Sequence, residues 1–182
     1  HPLLQKIVAK GCDLIMLIPG KENGTVGQGV EISDNANATY KIRYCVSKKG
    51  WFGKAVLTDM NTILIQEKPD ILMIGWPYML QLFFDKQLRK IIENQGIKVI
   101  IQEIPFQTSP YGNLSYFKAH PCYNEDMKLI SSGLGFKIRA LMTMYIRKQI
   151  YKIASATVNY ATCAYDILPS YGGKRESIFV RY

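Results

Sequence analysis

The stretch "KPDILMIGWPYMLQLFFDKQLRKIIENQGIKVIIQEIP", residues 68–105, decides the fold class. Its first apolar run stops at Pro77 and is typical of a strand covered on both faces. Residues 79–95 then place Leu88 and Ile91 at helical spacing, and Gly96 stands where helices commonly end. A second apolar run follows. The order strand, helix, strand predicts two parallel strands joined by a helical crossover.

The same alternation continues along the chain on both sides. Strands are predicted for residues 13–19, 40–46, 156–161 and 177–182, and helices for a segment from Pro2 to Gly11 and for residues 53–67, 128–153 and 165–172. Residues 107–127 are predicted to be irregular. Short connections between apolar strands indicate an α/β fold: a Rossmann-like, doubly wound, mostly parallel sheet with helices on both faces. We expect one domain over residues 1–182.

The two ends of the sequence suggest missing parts. The helix at Pro2 has no strand before it, although the first strand of a doubly wound sheet usually lies near its middle. At the other end the chain stops on the apolar strand "SIFVRY". We therefore expect the first strand and a following domain to be absent from this sequence. An unpaired edge beside the central strands would then be open to a second copy of the chain.

The charge balance favours an acidic partner. Lysine and arginine number 23 against 14 aspartate and glutamate residues, which gives a net charge of +9. Such a chain is expected to contact nucleic acid, an anionic membrane surface or a phosphorylated substrate. Nucleic acid is the weakest of these, because no helix-turn-helix, zinc-finger or aromatic RNA-binding signature is present.

The cysteines and the longest apolar stretch bear on the compartment. Cys12, Cys45, Cys122 and Cys163 are widely spaced, which favours free thiols in a reducing compartment. The apolar stretch at residues 71–84 contains a proline and is shorter than the roughly 20 residues of a spanning helix. The sequence therefore predicts a protein that is soluble or peripheral to a membrane.

Candidate site residues follow three predicted strands at their carboxyl ends, where open parallel sheets bind ligands. Glu103 is the one carboxylate there, and it is the candidate general base or acceptor-orienting group. An ion pair with a nearby lysine or arginine is the alternative for Glu103. Aromatic faces, amides and hydroxyls at the same ends suit a hydroxyl-rich ligand such as a sugar. The acceptor-binding candidates are Trp76, Pro77, Tyr78, Gln102, Tyr160, Thr162 and Tyr165.

Three other patterns are given a structural interpretation. The glycine-rich segment at residues 20–29 matches neither the Walker pattern nor G-x-G-x-x-G, so it is predicted to be a surface loop. His120 and Cys122 alone are too few for a metal site, and no metal is expected. Ser–His–Asp catalysis is poorly supported, since the chain has only two histidines.

The segment from Met127 to Tyr165 contains no acidic residue. Its long predicted helix carries basic side chains that suit an anionic membrane or a phosphate group. The alternative is a core helix with solvated basic positions, because the apolar residues cover most of its circumference. The candidates for membrane or phosphate contact are Lys137, Arg139, Arg147 and Lys148.

The order of segments resembles the amino-terminal half of family 4 glycosyltransferases with the GT-B fold. The resemblance rests on "HPLLQKIVAKGCDLIMLIP", "EKPDILMIGWP", "NQGIKVIIQEIP" and, most specifically, "ASATVNYATCAYDILPSYGGKRESIFVRY". It implies a retaining enzyme that transfers a sugar from a nucleotide-sugar donor to an acceptor. The acceptor would bind this half, and the donor would bind a carboxyl-terminal half with an E-x7-E pattern.

These observations lead to one expected function and two alternatives. The chain is expected to be the acceptor-side half of a glycosyltransferase that glycosylates a glycan or lipid-linked acceptor in cell-envelope polysaccharide synthesis. We expect it to be cytoplasmic, or peripheral at the inner face of the membrane, to bind no cofactor itself and to be inactive in isolation. The first alternative is a non-catalytic α/β ligand-binding or regulatory module. The second is another nucleotide-dependent α/β enzyme.

Overall fold

The computed structural model describes residues 2–20, 39–103, 108–124 and 126–181. The chain divides into two compact units, one up to Gln66 and one from Glu67 onward. The interpretation of the whole chain as a single domain stays a prediction.

The first unit contains two small sheets. Its elements are α1 (Pro2–Ala9), β1 (Ile15–Pro19), β2 (Lys41–Cys45), β3 (Ser47–Lys49), β4 (Ala55–Leu57) and α2 (Met60–Glu67), which ends at the boundary. Strands β1 and β2 are parallel, with Ile15 opposite Lys41 and Pro19 opposite Cys45. Strands β3 and β4 form an antiparallel hairpin. The predicted surface loop at residues 20–29 lies outside the described residues, apart from Gly20.

The prediction of one helix over residues 53–67 was wrong. The first part of this range forms β4, and the helix begins only at Met60. A side chain at Gly50 would place its Cβ 2.5 Å from Val56, so this glycine permits the close approach of the two strands. The turn that follows has Gly53 at φ 67°. Backbone pairing with β3 therefore outweighs the helical spacing of the apolar residues.

The second unit is built on a four-stranded parallel sheet. Its strands are β5 (Ile71–Gly75), β6 (Lys98–Glu103), β7 (Ala154–Asn159) and β8 (Ile178–Val180), and they lie in chain order. In the register of the ladder, Gly75 lies opposite Gln102, and Glu103 lies opposite Asn159. The carboxyl ends of β5, β6 and β7 therefore meet at one edge of the sheet.

The two faces of this sheet differ in burial. One face carries the buried side chains Leu72, Ile74, Val99, Ile101, Thr157 and Ile178. The other face leaves Met73 and Phe179 exposed. Right-handed crossovers between strands that follow one another in chain order place the connecting helices on one face, which accounts for this difference. The doubly wound arrangement with helices on both faces stays a prediction.

The helices of the second unit are shorter than the sequence predicted. They are α3 (Gln81–Phe84), α4 (Lys86–Gln95), α5 (Tyr116–Ala119), α6 (Leu134–Tyr151) and α7 (Ala164–Ile167), with 3-10 turns at Tyr78–Leu80, Leu168–Tyr171 and Arg175–Ser177. The predicted helix at 79–95 is interrupted at Asp85, whose backbone is extended and whose side chain caps α4. The predicted helix at 128–153 starts only at Leu134, after Gly133 with φ 88°.

The α/β class with a parallel sheet flanked by helices is confirmed. All four cysteines are free thiols. None of the helices in the described part of the chain combines the length and the apolar character that crossing a bilayer requires.

Candidate functional site

The end of β6 carries a buried ion pair with α6. The Glu103 side chain is 2% exposed and that of Arg147 is 15% exposed. Arg147 donates to Glu103 Oε1 from Nε at 2.7 Å, and its Nη2 lies 2.5 Å from the same oxygen. The hydroxyl of Tyr151, one helical turn further along α6, donates to Glu103 Oε2. Both carboxylate oxygens of Glu103 are therefore occupied.

The pKa values of Arg147, Tyr151 and Tyr171 are all raised in this cluster. Burial alone would lower the pKa of Arg147, but the Glu103 carboxylate outweighs that effect and the pKa is raised. Burial, reinforced by the Glu103 charge, raises the pKa of Tyr151 far above its usual range. Burial also raises the pKa of Tyr171 to about 12. At neutral pH, Arg147 is therefore a cation and both phenols are neutral.

The arrangement matches the alternative given for Glu103, an ion pair with a nearby arginine. Its role as a general base is not tested and stays a prediction. In the observed geometry Glu103 acts on its partner: it fixes the position of the Arg147 guanidinium, which lies 5.5 Å from the centre of the Trp76 ring. Trp76 is 44% exposed, so a ligand can reach its ring.

A pocket of about 340 Å³ lies beside this cluster, within the second unit. Its polar lining consists of Thr108, Ser109, Cys122, Arg139, Thr143 and Arg147. Its apolar lining includes Phe117, Ile130, Phe136 and Met144. Tyr171 also lines the pocket, and its hydroxyl donates to the Ser109 carbonyl at 2.8 Å. This volume is within the range of small-molecule sites, which combine apolar walls with a few polar groups.

Arg139 gives the pocket its unpaired positive charge. It is exposed, and its guanidinium makes no ion pair with any residue that the structure describes. The guanidinium of Arg147, by contrast, already faces Glu103. No aspartate, glutamate or histidine is among the described residues that line the pocket. The described lining therefore suits a ligand with an anionic group and an apolar part.

Cys122 is the pocket's one thiol among the described lining residues. Burial raises its pKa, so the thiol is protonated at neutral pH and is a poor nucleophile. His120, two residues earlier, stacks on Tyr116 with ring centres 4.2 Å apart. Within the described ranges, no three His, Cys, Asp or Glu side chains are grouped closely enough to hold a metal ion.

The predicted acceptor-binding residues lie at the same edge of the sheet but not in the pocket. Gln102 donates to the Tyr160 hydroxyl at 2.5 Å, which links the ends of β6 and β7. The Tyr160 ring lies 5.8 Å from the Arg181 guanidinium, and the Tyr165 ring lies 5.7 Å from that of Arg175. Both rings are thus already covered on one side by a cation.

The remaining predicted residues lie in turns or on α6. Pro77 and Tyr78 begin the 3-10 turn after β5. Thr162 is exposed just before α7, and its carbonyl accepts from the Tyr165 backbone at 3.0 Å. Of the predicted basic set, Arg139 and Arg147 line the pocket, whereas Lys137 and Lys148 do not. Lys148 instead lies 4.1 Å from the centre of the Tyr111 ring.

Sequence reasoning missed the hydroxyl groups of the pocket. Thr108 and Ser109 fall in the segment predicted to be irregular, and Thr143 lies on α6 between apolar residues. The spacing of Arg139, Thr143 and Arg147 at four-residue intervals places all three on one face of a helix. That spacing was the available signal for a polar stripe on this helix.

Comparison of the chain with protein-family models, with curated proteins and with solved structures gave no match.

Proposed function

We propose that this chain is the acceptor-binding half of a glycosyltransferase that uses a nucleotide-sugar donor. The observation that carries the proposal is the composition of the pocket: an arginine without an ion pair in the described ranges, four hydroxyl side chains and apolar walls, with no acidic residue or histidine among its described lining. Such a site can hold and orient a substrate without taking part in proton transfer. Such a site fits an enzyme in which a second half binds the nucleotide-sugar donor and supplies the catalytic groups.

The acceptor class follows from the chemistry of the lining. The Arg139 guanidinium offers a fork of N–H donors suited to a phosphate or carboxylate group. Phe117, Phe136 and Met144 suit an apolar portion of the same molecule. We therefore propose a lipid-linked or otherwise amphiphilic acceptor with an anionic group. The Trp76 ring and the Gln102–Tyr160 pair, at the same sheet edge, are proposed to contact its sugar part.

The resemblance in segment order supports a retaining reaction within a GT-B enzyme. The free thiols of all four cysteines fit a reducing compartment, so the proposal places the protein in the cytoplasm.

The second candidate is a binding module without catalytic function. It is favoured by the same lack of acid or base groups in the described lining and by the occupied oxygens of Glu103. The two candidates agree on what the pocket binds. They differ in whether the bound molecule becomes a substrate when a donor half is supplied.

A ligand panel tests the proposal. Octyl phosphate and octyl glucoside represent the acceptor, uridine diphosphate glucose represents the donor, and NAD represents other nucleotide-dependent enzymes. A ligand that binds the folded chain raises its apparent melting temperature. We expect stabilisation by octyl phosphate and none by the donor or NAD, and we expect the chain alone to leave the nucleotide sugar intact. Turnover of that donor by the isolated chain, or strong NAD binding, would contradict the assignment.

The transfer step is tested by adding a donor half in trans. A GT-B donor domain with its own E-x7-E pattern should give transfer to an octyl glycoside only when this chain is present. Binding of octyl phosphate without any transfer across a set of donor domains would favour the binding module instead.

A further inference from the structure

Helix α6 has two apolar faces. One is directed to the core, where Met144, Ile146, Ile150 and Tyr151 are buried. The other is exposed: Leu134, Ile138, Leu141, Met142 and Tyr145 keep between 45% and 75% of their surface open. At 100° per residue these five side chains fall within one arc on the opposite side of the helix from the core. A helix at a water-facing surface normally has polar residues there.

The segment before α6 carries further exposed apolar side chains. Met127 is 75% exposed, Leu129 is 50% exposed and Ile130 is 42% exposed. Ile130 and two residues of α6, Phe136 and Arg139, line the same pocket, so this segment lies next to the first turns of the helix. The outward side of α6, which carries Leu134, Ile138, Leu141, Met142 and Tyr145, is what we call the α6 surface. Contiguous exposed apolar patches of this kind usually mark interaction sites.

The α6 surface is bordered by positive charge. Lys128, Lys137 and Lys152 are exposed, and none forms an ion pair with a residue in the described ranges. Lys137 lies beside the apolar arc, and Lys152 follows it at the carboxyl end of the helix. The sequence contains no acidic residue from Met127 to Tyr165, and the exposed Asp126 directly precedes this segment. Exposed apolar side chains with lysines beside them complement a surface that has an apolar interior and negatively charged groups on its outside.

We propose that the α6 surface docks onto an anionic lipid bilayer. The apolar side chains would enter the boundary between headgroups and acyl chains, and the lysines would contact anionic headgroups, as in interfacial helices. The occupant is a bilayer and not a second copy, because the lysine-bordered surface of one copy would face the same positive charges on the other.

The inference deepens the proposed function, on which it rests for the nature of the acceptor. Ile130, Phe136 and Arg139 line the pocket, so the pocket adjoins the helix that carries the proposed membrane contact. An amphiphilic acceptor can then reach the pocket from the bilayer, with its anionic group directed to Arg139.

Vesicle flotation of the whole chain, without acceptor or donor, tests the docking. Vesicles of phosphatidylcholine are compared with vesicles that also contain phosphatidylserine. We expect binding to the anionic vesicles, weaker binding to the neutral ones, and loss of binding at high salt. The Ile138→Ser/Leu141→Ser variant should lower the partition coefficient at least about tenfold. Lys137→Gln should lower it about fivefold.

Matched control variants distinguish binding through the α6 surface from nonspecific adsorption to vesicles. Ile65→Ser removes an exposed apolar side chain of α2, and Lys90→Gln removes an exposed charge of α4; both should leave the partition coefficient unchanged. If Ile138→Ser/Leu141→Ser does not fold, Lys137→Gln still tests the proposal. Equal binding to neutral and anionic vesicles would overturn the proposal, as would unchanged binding of the variants or a stable dimer that shields α6. Because no acceptor is present, failure of docking is distinct from failure of the pocket to bind octyl phosphate.

Discussion

Arg147 Nη2 lies 2.5 Å from Glu103 Oε1, and this ion pair joins the middle of α6 to the end of β6. Both side chains are largely buried, and Tyr151 satisfies the second carboxylate oxygen. The pair fixes one wall of the pocket, because Arg147 lines it and also lies against Trp76. The stability of this wall is therefore expected to depend on both members of the pair.

We predict that Arg147→Met lowers the free energy of unfolding by about 3 kcal/mol or more, because it leaves the buried Glu103 carboxylate without an opposite charge. Glu103→Gln should also be destabilising, since it removes the charge that faces Arg147. The double variant should lose less unfolding free energy than the two single variants lose together. Urea unfolding of the unchanged chain and the three variants measures this difference, which is the coupling energy of the pair. Strict additivity would show that the two side chains do not interact energetically.

A second prediction concerns alkaline pH. Tyr171 is buried and has a pKa of about 12 in the folded chain, against about 10 for an exposed tyrosine. A raised folded-state pKa stabilises the fold fully below the unfolded pKa, and this contribution is lost as the pH rises from about 10 to about 12. Urea unfolding should show a loss of about 2 kcal/mol from this group over that window.

Tyr171→Phe is the matched variant, because it removes the ionisable hydroxyl and keeps the ring. Its free energy of unfolding should decline less steeply between pH 10 and pH 12 than that of the unchanged chain. The variant should be less stable at pH 8, since the hydrogen bond to the Ser109 carbonyl is lost. Identical pH slopes in the two proteins would refute the assignment.

A third prediction concerns thiol reactivity in the first unit. Cys45 is 1% exposed, and burial together with the nearby Asp59 charge raises its pKa to about 11. Cys12 is exposed. At pH 8, iodoacetamide should alkylate Cys12 readily and leave Cys45 unmodified until the chain unfolds. Peptide mass spectrometry after timed labelling measures both sites, with a sample in denaturant as the control. Comparable labelling of both thiols in the native chain would contradict the structure.

A fourth prediction concerns the start of α4. The Asp85 carboxylate accepts from the backbone N–H groups of Gln87 at 2.9 Å and Leu88 at 3.0 Å. Asp85→Ala removes this cap and should cost about 1 kcal/mol of unfolding free energy, whereas Asp85→Asn should retain most of the stability. Thermal or urea unfolding of the two variants gives the comparison. Asn keeps a side-chain oxygen that can accept these hydrogen bonds, and Ala does not. An equal loss of stability in both variants would therefore contradict capping by a side-chain oxygen.

The central strands and the edge of the sheet could be predicted from the sequence. Residues 71–75 and 98–103 are short apolar runs between helix signals, and such runs identify buried parallel strands. The position of Glu103 at a strand end follows from the same pattern. Its ion pair with Arg147 was foreseen only as a general alternative, because the two residues are 44 positions apart.

The hairpin and the outward side of α6 could not be predicted in the same way. Val56 and Leu57 satisfy both helical and strand patterns, and pairing with a distant strand decides between them. On α6 the apolar residues cover most of the circumference, so the sequence did not show which of them face the core. The structure separates the buried Met144 and Ile150 from the exposed Leu134 and Ile138.

The central claim is that the pocket holds the anionic end of an amphiphilic acceptor, and calorimetric titration with octyl phosphate tests it most directly. Arg139→Gln removes the pocket cation that has no ion pair in the described ranges, and Lys90→Gln is the matched control, since Lys90 is an exposed charge of α4 outside the pocket lining. We predict saturable binding that Arg139→Gln weakens by about tenfold or more and that Lys90→Gln leaves unchanged. No saturable binding by the folded chain, or equal weakening by both variants, would contradict the account.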